Sequence, residues 1–417
     1  MHMPRHAAEP SILEAEPRAW ASLLWQRLAP ERWPIPLTAL PPGAALVGGA
    51  IRDGLIGRLR PQPDLDLVVP ENALELTARL AQHHGGACVV LDAQRDMARL
   101  VLKGWTLDLA RQDGADLEAD LWRRDFRLNA IALVIAPQPQ LLDPTGGLDD
   151  LRAGRLAAIA EHNLIDDPLR LLRGVRLLAE LPFSLDEATM AMLRRQRALL
   201  ARAAPERIQA ELLRLVAGPQ ADQALEVLDS LQLLKPWQEL EGPPPAALPV
   251  RGAGLDQAAA ALNPDERDQA LPLLRLTACL GDRGLQSLRF SKKQCQRCAR
   301  LRHWLTRLEQ AADDTLPEPE RLQLHLELEN DLPALILQLP AERRDHWLKR
   351  WRDGGDPLFH PRAALDGRTL QRELELPQGP LLGRLLHHLK RERAFGRIHD
   401  REDSLAASRT WLKLQCD

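Results

Sequence analysis

Hydrophobic periodicity changes once along this chain, near Asp166, and that change limits the fold more than any other feature of the sequence. From Ala44 to about Ile159 short apolar runs alternate with helical patterns. ALVGG, DLDLVV, ACVVLDA, MARLVLK, WTLDLA and IALVIA read as strands, and helical stretches at 71–84 and 117–129 lie between them. Beyond Asp166 apolar residues recur at three- and four-residue spacing and strand-like alternation nearly vanishes, so the remainder reads as helix. At 417 residues the chain is too long for one compact core. The expected class is α+β, a mixed-sheet N-terminal domain followed by all-α regions.

Four parts follow from the pattern. Residues 1–29 contain an amphipathic segment (12–28) that reads as a lead-in helix, and a proline-rich entry (33–42) comes after it. Residues 30–160 form the mixed α/β head, 161–225 a helical neck, and 226–417 a helical body and tail. The run GPPPAALPV (242–250) is the clearest linker, with a second break at 316–318.

Charge is nearly balanced, 55 Lys plus Arg against 58 Asp plus Glu, which excludes a general polycation that coats nucleic acid through bulk charge. Any RNA contact must come from local basic surfaces. Five cysteines form no regular framework and point to thiols in a reducing compartment. The single CxxC, Cys295 and Cys298, lies in a basic helical stretch without a second pair and reads as two neighbouring helix residues. No stretch approaches the roughly 20 apolar residues that span a bilayer, and the N-terminus lacks a long apolar signal core. A cytoplasmic protein without a membrane or a stable protein partner is expected.

The chemistry concentrates in the head. In VGGAIRD (47–53) the adjacent Gly48 and Gly49 follow an apolar strand, where glycine permits a tight turn and close backbone approach to a ligand, and the next helix offers free N–H groups to a phosphate. On the following strand Asp64 and Asp66 share one face, because side chains alternate with period two. A lone DxD is also what a solvated strand edge carries; after the GG turn it reads as a site whose hard oxygens suit Mg2+. Two ions at an in-line displacement need more oxygens than one DxD supplies. Asp108, in WTLDLA, is the candidate third carboxylate, with Leu107 and Leu109 turned to the core.

In the neck, Asp167, Arg170, Arg173 and Arg176 follow a three-residue rhythm that a helix turns into one polar stripe. Such stripes also serve as solvated faces. Here, however, Leu169, Leu171, Leu172, Val175 and Leu177 surround it. An aspartate that accepts and an arginine that donates in a rigid fork together can address the Watson–Crick edge of cytosine or adenine without a template.

The ordered set VGGAIRD, DLDLVV, RRDFRLNAIAL (123–133), LLDPTGGLDDLRAG (141–154), DDPLRLLRGVRL (166–177) and APERIQAELLRLV (204–216) resembles the bacterial-type tRNA nucleotidyltransferase and poly(A) polymerase family of the DNA polymerase β superfamily. Looser similarity continues at LRFSKKQ (288–294) and from Gln378 through Leu412. The resemblance implies a seahorse of head, neck, body and tail, with Mg2+ on Asp64 and Asp66 and Asp108 completing the catalytic set. It implies base reading by Asp167 and Arg170, nucleotide contacts from Arg124, Arg173 and Arg176, and Gly48, Gly49 and Arg52 near the phosphates. The family usually has Glu where this chain has Asp166, a conservative departure.

The implied reaction is attack of a tRNA 3′-hydroxyl on the α-phosphate of CTP or ATP. Family members that complete CCA carry a sizeable flexible loop between the third carboxylate and the RRDF motif; here 14 residues (109–122) intervene, much of them helical in pattern, which favours CC addition. The alternatives are a full CCA-adding or A-adding enzyme, a poly(A) polymerase, and, from a different class, a catalytically idle RNA-binding protein. A nucleotidyltransferase acting on a small molecule would have no need of the long helical half. That half is expected to bind RNA by shape and phosphate contacts, with Lys292, Lys293, Arg297, Arg300 and the run 390–393 as candidates that are equally at home on a solvated helix face. There is no His-Asp pair with the spacing of an HD phosphohydrolase.

Overall fold

The computed structural model describes residues 9–238, 253–310 and 316–416. The chain divides into two compact units, residues 1–203 and 204–417.

The first unit is built on a sheet of seven strands: β1 (Ala45–Val47), β2 (Leu65–Val69), β3 (Ala87–Asp92), β4 (Met97–Leu102), β5 (Trp105–Arg111), β6 (Ala132–Val134) and β7 (Gln140–Leu142). Their order is β3-β4-β5-β2-β1-β6-β7, and every neighbouring pair is antiparallel except β2 and β5. The first six are the apolar runs expected from the sequence. β7 is short and lies in a polar, proline-flanked stretch that offers no strand signal.

Helices α1 (Trp20–Leu28), α2 (Gly49–Leu55), α3 (Ala73–His84), α4 (Leu117–Trp122) and α5 (Gly147–Ala153) surround the sheet, followed by α6 (Glu161–Asp166), α7 (Leu169–Glu180) and α8 (Glu187–Gln196). Alternation sets the packing: Ala98, Leu100, Leu107 and Leu109 are fully buried, and α3 lies against β3, β4 and β5. On the opposite face Ala45, Val47 and Val68 join Leu121 of α4 in one apolar cluster. At the rim β3 leaves Val89, Val90 and Leu91 exposed.

Two expected helices are shorter than their patterns. Residues 12–28 give two single turns before α1, with Pro17 starting the second of them. The stretch 117–129 stops being α-helical at Trp122, because Phe126 turns extended to bridge Ala158, and only a single turn re-forms at Arg127–Asn129. A two-stranded parallel pair, β8 (Arg155–Leu156) with β9 (Ser184–Leu185), brackets α6 and α7 and is too short to announce itself in sequence. Gly174 of α7 passes so close to Phe126 that an added Cβ would lie 2.6 Å from the ring tip.

Among its described residues the second unit has helices and single turns and no strand: α9 (Pro205–Ala217), α10 (Ala221–Leu231), α11 (Ala253–Ala259), α12 (Pro264–Cys279), α13 (Asp282–Ser287), α14 (Lys292–Gln310), α15 (Glu318–Leu328), α16 (Leu332–Ile336), α17 (Ala341–Arg352), α18 (Gly367–Leu374), α19 (Pro380–Ala394) and α20 (Arg401–Cys416). α12 packs against α9, α14 and α16. A buried ion pair, Arg275 forked onto Asp222 at 2.6 and 3.0 Å, ties α12 to α10. His325 of α15 is buried against Trp347 and Phe359, with ring centroids 5.5 and 4.2 Å away. The expected linker at 242–250 lies outside the described residues. At the second break, Pro317 caps α15.

Candidate active site

The turn between β1 and α2 and the carboxylate of β2 are fitted to each other. Gly48 has φ +76°, a conformation that favours glycine, and a Cβ there would stand 2.8 Å from Asp66 Oδ2. In register, Asp66 lies opposite Val47 of β1 on one side and Asp108 of β5 on the other. Asp64 is exposed one residue before β2. Burial pushes the Asp66 carboxyl up to about 6; the negative charges of Asp108 and Asp64 add to this, while Arg124 and Arg173 oppose it. The sheet sets Asp66 beside Asp108, and the charges of Asp64, of Arg124 after α4 and of Arg173 on α7 all reach Asp66.

Asp108 is forked by Arg99 of β4, Nε donating to Oδ1 at 2.7 Å and Nη2 to Oδ2 at 2.8 Å. Among the described residues no group of three or more His, Cys, Asp or Glu side chains is arranged as a ready metal site. The donor chemistry nevertheless suits a hard divalent ion: Asp66 is a half-buried carboxylate with Asp108 and exposed Asp64 adding negative charge around it, and glycine leaves its oxygen room.

A second layer of contacts orients the arginines. Arg124 donates to Asp120 one turn earlier, from Nε at 3.1 Å and Nη2 at 2.9 Å, and buried Asp120 also accepts from the Asp113 amide, closing the segment between β5 and α4. Arg173, exposed on α7, pairs with buried Asp125 at 2.9 Å. Burial works against the charge of Asp125, but Arg173, Arg170, Arg124 and the Phe126 amide outweigh it and hold the carboxyl below the usual range.

Arg170 is held by main-chain oxygens, its Nη1 donating to the carbonyls of Arg123 at 2.9 Å and Asn163 at 3.0 Å. The buried Asn163 side chain in turn donates to the carbonyls of Trp122 at 2.9 Å and Arg124 at 2.7 Å. Three successive carbonyls before Asp125 therefore bind donors from α6 and α7.

The expected helical stripe is only partly realised. Asp167 is not on the helix: it has extended backbone between α6 and α7 and accepts from the Leu169 amide at 3.2 Å, because Pro168 lacks the N–H to continue the helix through this point. Arg170 and Arg173 flank one side of α7, whereas Arg176 is buried and paired with Glu180. Arg52 is likewise buried, donating to Asp53 at 2.8 Å and to Asn129 at 3.0 Å, with its Nη2 beside Gly49.

Sequence reasoning missed Arg99, Asp120, Asp125, Asn129 and Asn163. Two of these had a local signal: Asp120 stands four residues before Arg124, and Arg99 sits at a countable place in a hairpin. A two-residue turn at Lys103 and Gly104, both with positive φ, pairs Leu102 with Trp105 and so sets Arg99 opposite Asp108. In the second unit Cys295 and Cys298 both lie on α14, as expected of helix neighbours. Of the basic candidates there, Lys292, Lys293 and Arg300 are exposed, Arg297 is forked onto Asp331, and Arg391 contacts Glu392 and His388.

Residues 44–157 match the poly A polymerase head domain and residues 182–241 a probable RNA and SrmB-binding site of polymerase A. The CC-adding tRNA nucleotidyltransferase of Synechocystis sp. is 35% identical over 398 residues, covering 89% of this chain and 94% of the relative. The chain belongs to the tRNA nucleotidyltransferase and poly(A) polymerase family. It is an enzyme, a nucleotidyltransferase. The A-adding tRNA nucleotidyltransferase of Deinococcus radiodurans is 40% identical over 204 residues, 48% of this chain and 46% of that protein. In fold, the chain is similar to the CCA-adding enzyme of Thermotoga maritima solved in complex with tRNA, with a TM-score of 0.67 and 19% identity over 96% of this chain and 98% of that one. No helix among the described residues is long and apolar enough to cross a membrane.

Proposed function

We propose that this enzyme adds CMP from CTP to the 3′ end of cytoplasmic tRNA, building the CC of the terminus, without a nucleic-acid template. The observation that carries the transfer reading is the in-register pair Asp66 and Asp108 with Asp64 beside them, set under a glycine turn. Asp64 and Asp66 would hold Mg2+. Magnesium, two ions in this reading, supplies a lowered pKa for the RNA 3′-hydroxyl and neutralisation of the leaving pyrophosphate.

The protein's own groups do the rest. The glycine turn keeps backbone and Asp66 close without a side chain between them. Arg124 and Arg173, each anchored by an aspartate, bring positive charge to the triphosphate. Asp167 and Arg170 read the base edge, Arg170 with its guanidinium steadied by carbonyls so that little freedom is lost on binding. Arg52 and Arg176 would approach the nucleotide only by leaving the partners they hold within the protein, Asp53 and Asn129 for the first and Glu180 for the second. In this division the head (30–160) transfers, the neck (161–225) selects and the body and tail (226–417) hold the RNA, after a lead-in segment (1–29).

Preference for CC rests on the short connection from β5 to α4, tied shut by Asp120, and on likeness to relatives named as CC-adding. The test is incubation of tRNA ending at the discriminator base with CTP and ATP, followed by sequencing of the product. A CC end supports the proposal, a CCA end replaces it with full CCA addition, addition of A only to tRNA already ending in CC makes it an A-adding enzyme, and a homopolymeric A tail makes it a poly(A) polymerase. Absence of metal-dependent pyrophosphate release removes catalysis altogether.

A further inference from the structure

The row of side chains that crosses the sheet at Val47, Asp66 and Asp108 continues in register to Arg99 on β4. The transfer scheme above gives Arg99 no task, yet its guanidinium engages both oxygens of Asp108, and Asp64 and Asp66 lie near enough to add to the field it feels. The fork takes up one acceptor site on each Asp108 oxygen and neutralises its charge, so a divalent ion recruiting Asp108 competes with it. The Arg99 side chain is 42% exposed against 15% for Asp108, so it can swing away by rotating through solvent, without unpacking the core.

Resting on the transfer reading, we propose that Arg99 is a positioning residue that serves as the resident counter-ion of Asp108 and is displaced from it when a divalent cation enters. Three bare carboxylates would draw cations whether or not nucleotide were present. With Arg99 in place the third carboxylate is already neutralised, and a metal must compete for it. Metal arriving with a triphosphate competes better, because the site's other arginines bind the phosphates at the same time. Arg99 thereby couples metal entry to nucleotide entry.

The experiment is Mn2+ binding to the full-length protein without nucleotide, followed by electron paramagnetic resonance, for wild type, Arg99→Gln, Asp108→Asn and the double variant. Arg99→Gln is expected to bind Mn2+ about two- to fivefold more tightly, the range set by a half-exposed ion pair, and the gain should vanish in the Asp108→Asn background. Unchanged or weaker binding by Arg99→Gln overturns the proposal, since a fork that merely held Asp108 in a chelating pose would weaken binding when removed. Should Arg99→Gln fail to fold, Arg99→Lys keeps the charge without the fork and is expected to show a smaller gain, with no gain counting against the proposal. If Asp64→Asn/Asp66→Asn binds Mn2+ as wild type does, the transfer site itself is wrong and this inference goes with it. Loss of binding there without a gain in Arg99→Gln overturns this inference alone.

Discussion

Gly48 and Asp66 are shaped to each other: a methyl group on the glycine would stand 2.8 Å from the carboxylate Oδ2. Gly48→Ala must therefore displace the carboxylate, and it also places a side chain at φ +76° and ψ −140°, a strain of about 1–3 kcal/mol. Turnover is expected to fall more than about tenfold, in line with the sensitivity of catalysis to small misplacements, with only a few degrees lost in thermal unfolding. Wild-type turnover in a folded Gly48→Ala protein would show that Asp66 is not confined by this turn.

Asp66 also links charge to stability. Its folded pKa, about 6, exceeds the 3.8 of a free side chain, so between those values the folded state binds more protons than the unfolded one and stability falls as pH rises. Asp66→Asn removes that loss. In EDTA its advantage over wild type should grow from pH 3.8 to about 6 and stay level above, at most about 3 kcal/mol, while nucleotide transfer drops at least about a hundredfold. Urea unfolding across that range is the measurement, and an advantage that shrinks with pH would contradict the charge assignment.

Arg170→Ala is expected to erode the preference for CTP over ATP by roughly ten- to a hundredfold, the scale of a lost base-edge contact. Asn163→Ala should erode it in the same direction, less steeply, by loosening the carbonyls that hold Arg170. Competing the two nucleotides in one reaction measures both. Unaltered selectivity in both variants would remove the neck from base choice.

Gly174→Ala tests how the neck helix sits on the sheet domain. The added methyl meets the buried Phe126 ring at 2.6 Å, so the variant should lose about 1–3 kcal/mol. Phe126→Leu in the same chain should recover part of it. Calorimetry that finds Gly174→Ala as stable as wild type would mean the two elements are less closely packed.

In the second unit, burial pushes His325 down to about 3, with Arg350 adding to the effect, and among the described residues its Nδ1 has no hydrogen-bond partner. The unfolded imidazole takes a proton near 6.5, so stability is lost as pH falls from there towards about 3. His325→Phe should remove this acid sensitivity, by up to about 1.4 kcal/mol per pH unit. Unfolding midpoints that shift with acid identically in both proteins would count against it.

Most of the sheet was legible because each of its first six strands is an apolar run of its own, and Asp66 and Asp108 stand out within theirs as charges flanked by fully buried leucines. The register of Arg99 to Asp108 could have been counted outwards from the Lys103–Gly104 turn. The long-range supports could not. Asn129 reaches Arg52 across 77 positions and Asn163 reaches the Trp122 carbonyl across 41, distances at which no periodicity speaks. Asp167 fell off the expected stripe for a local reason, the proline after it, while the burial of Arg176 depended on packing that the rhythm of charges does not encode.

Because the grip on Arg170 runs through peptide oxygens, it does not register which side chains stand at positions 122 and 123. The guanidinium would stay where it is through a change of side chain at either site, although Arg123 has a separate bond of its own, to Asp113. Position 163 has no such latitude, since its carboxamide nitrogen bonds the oxygens on either side of the one that Arg170 takes.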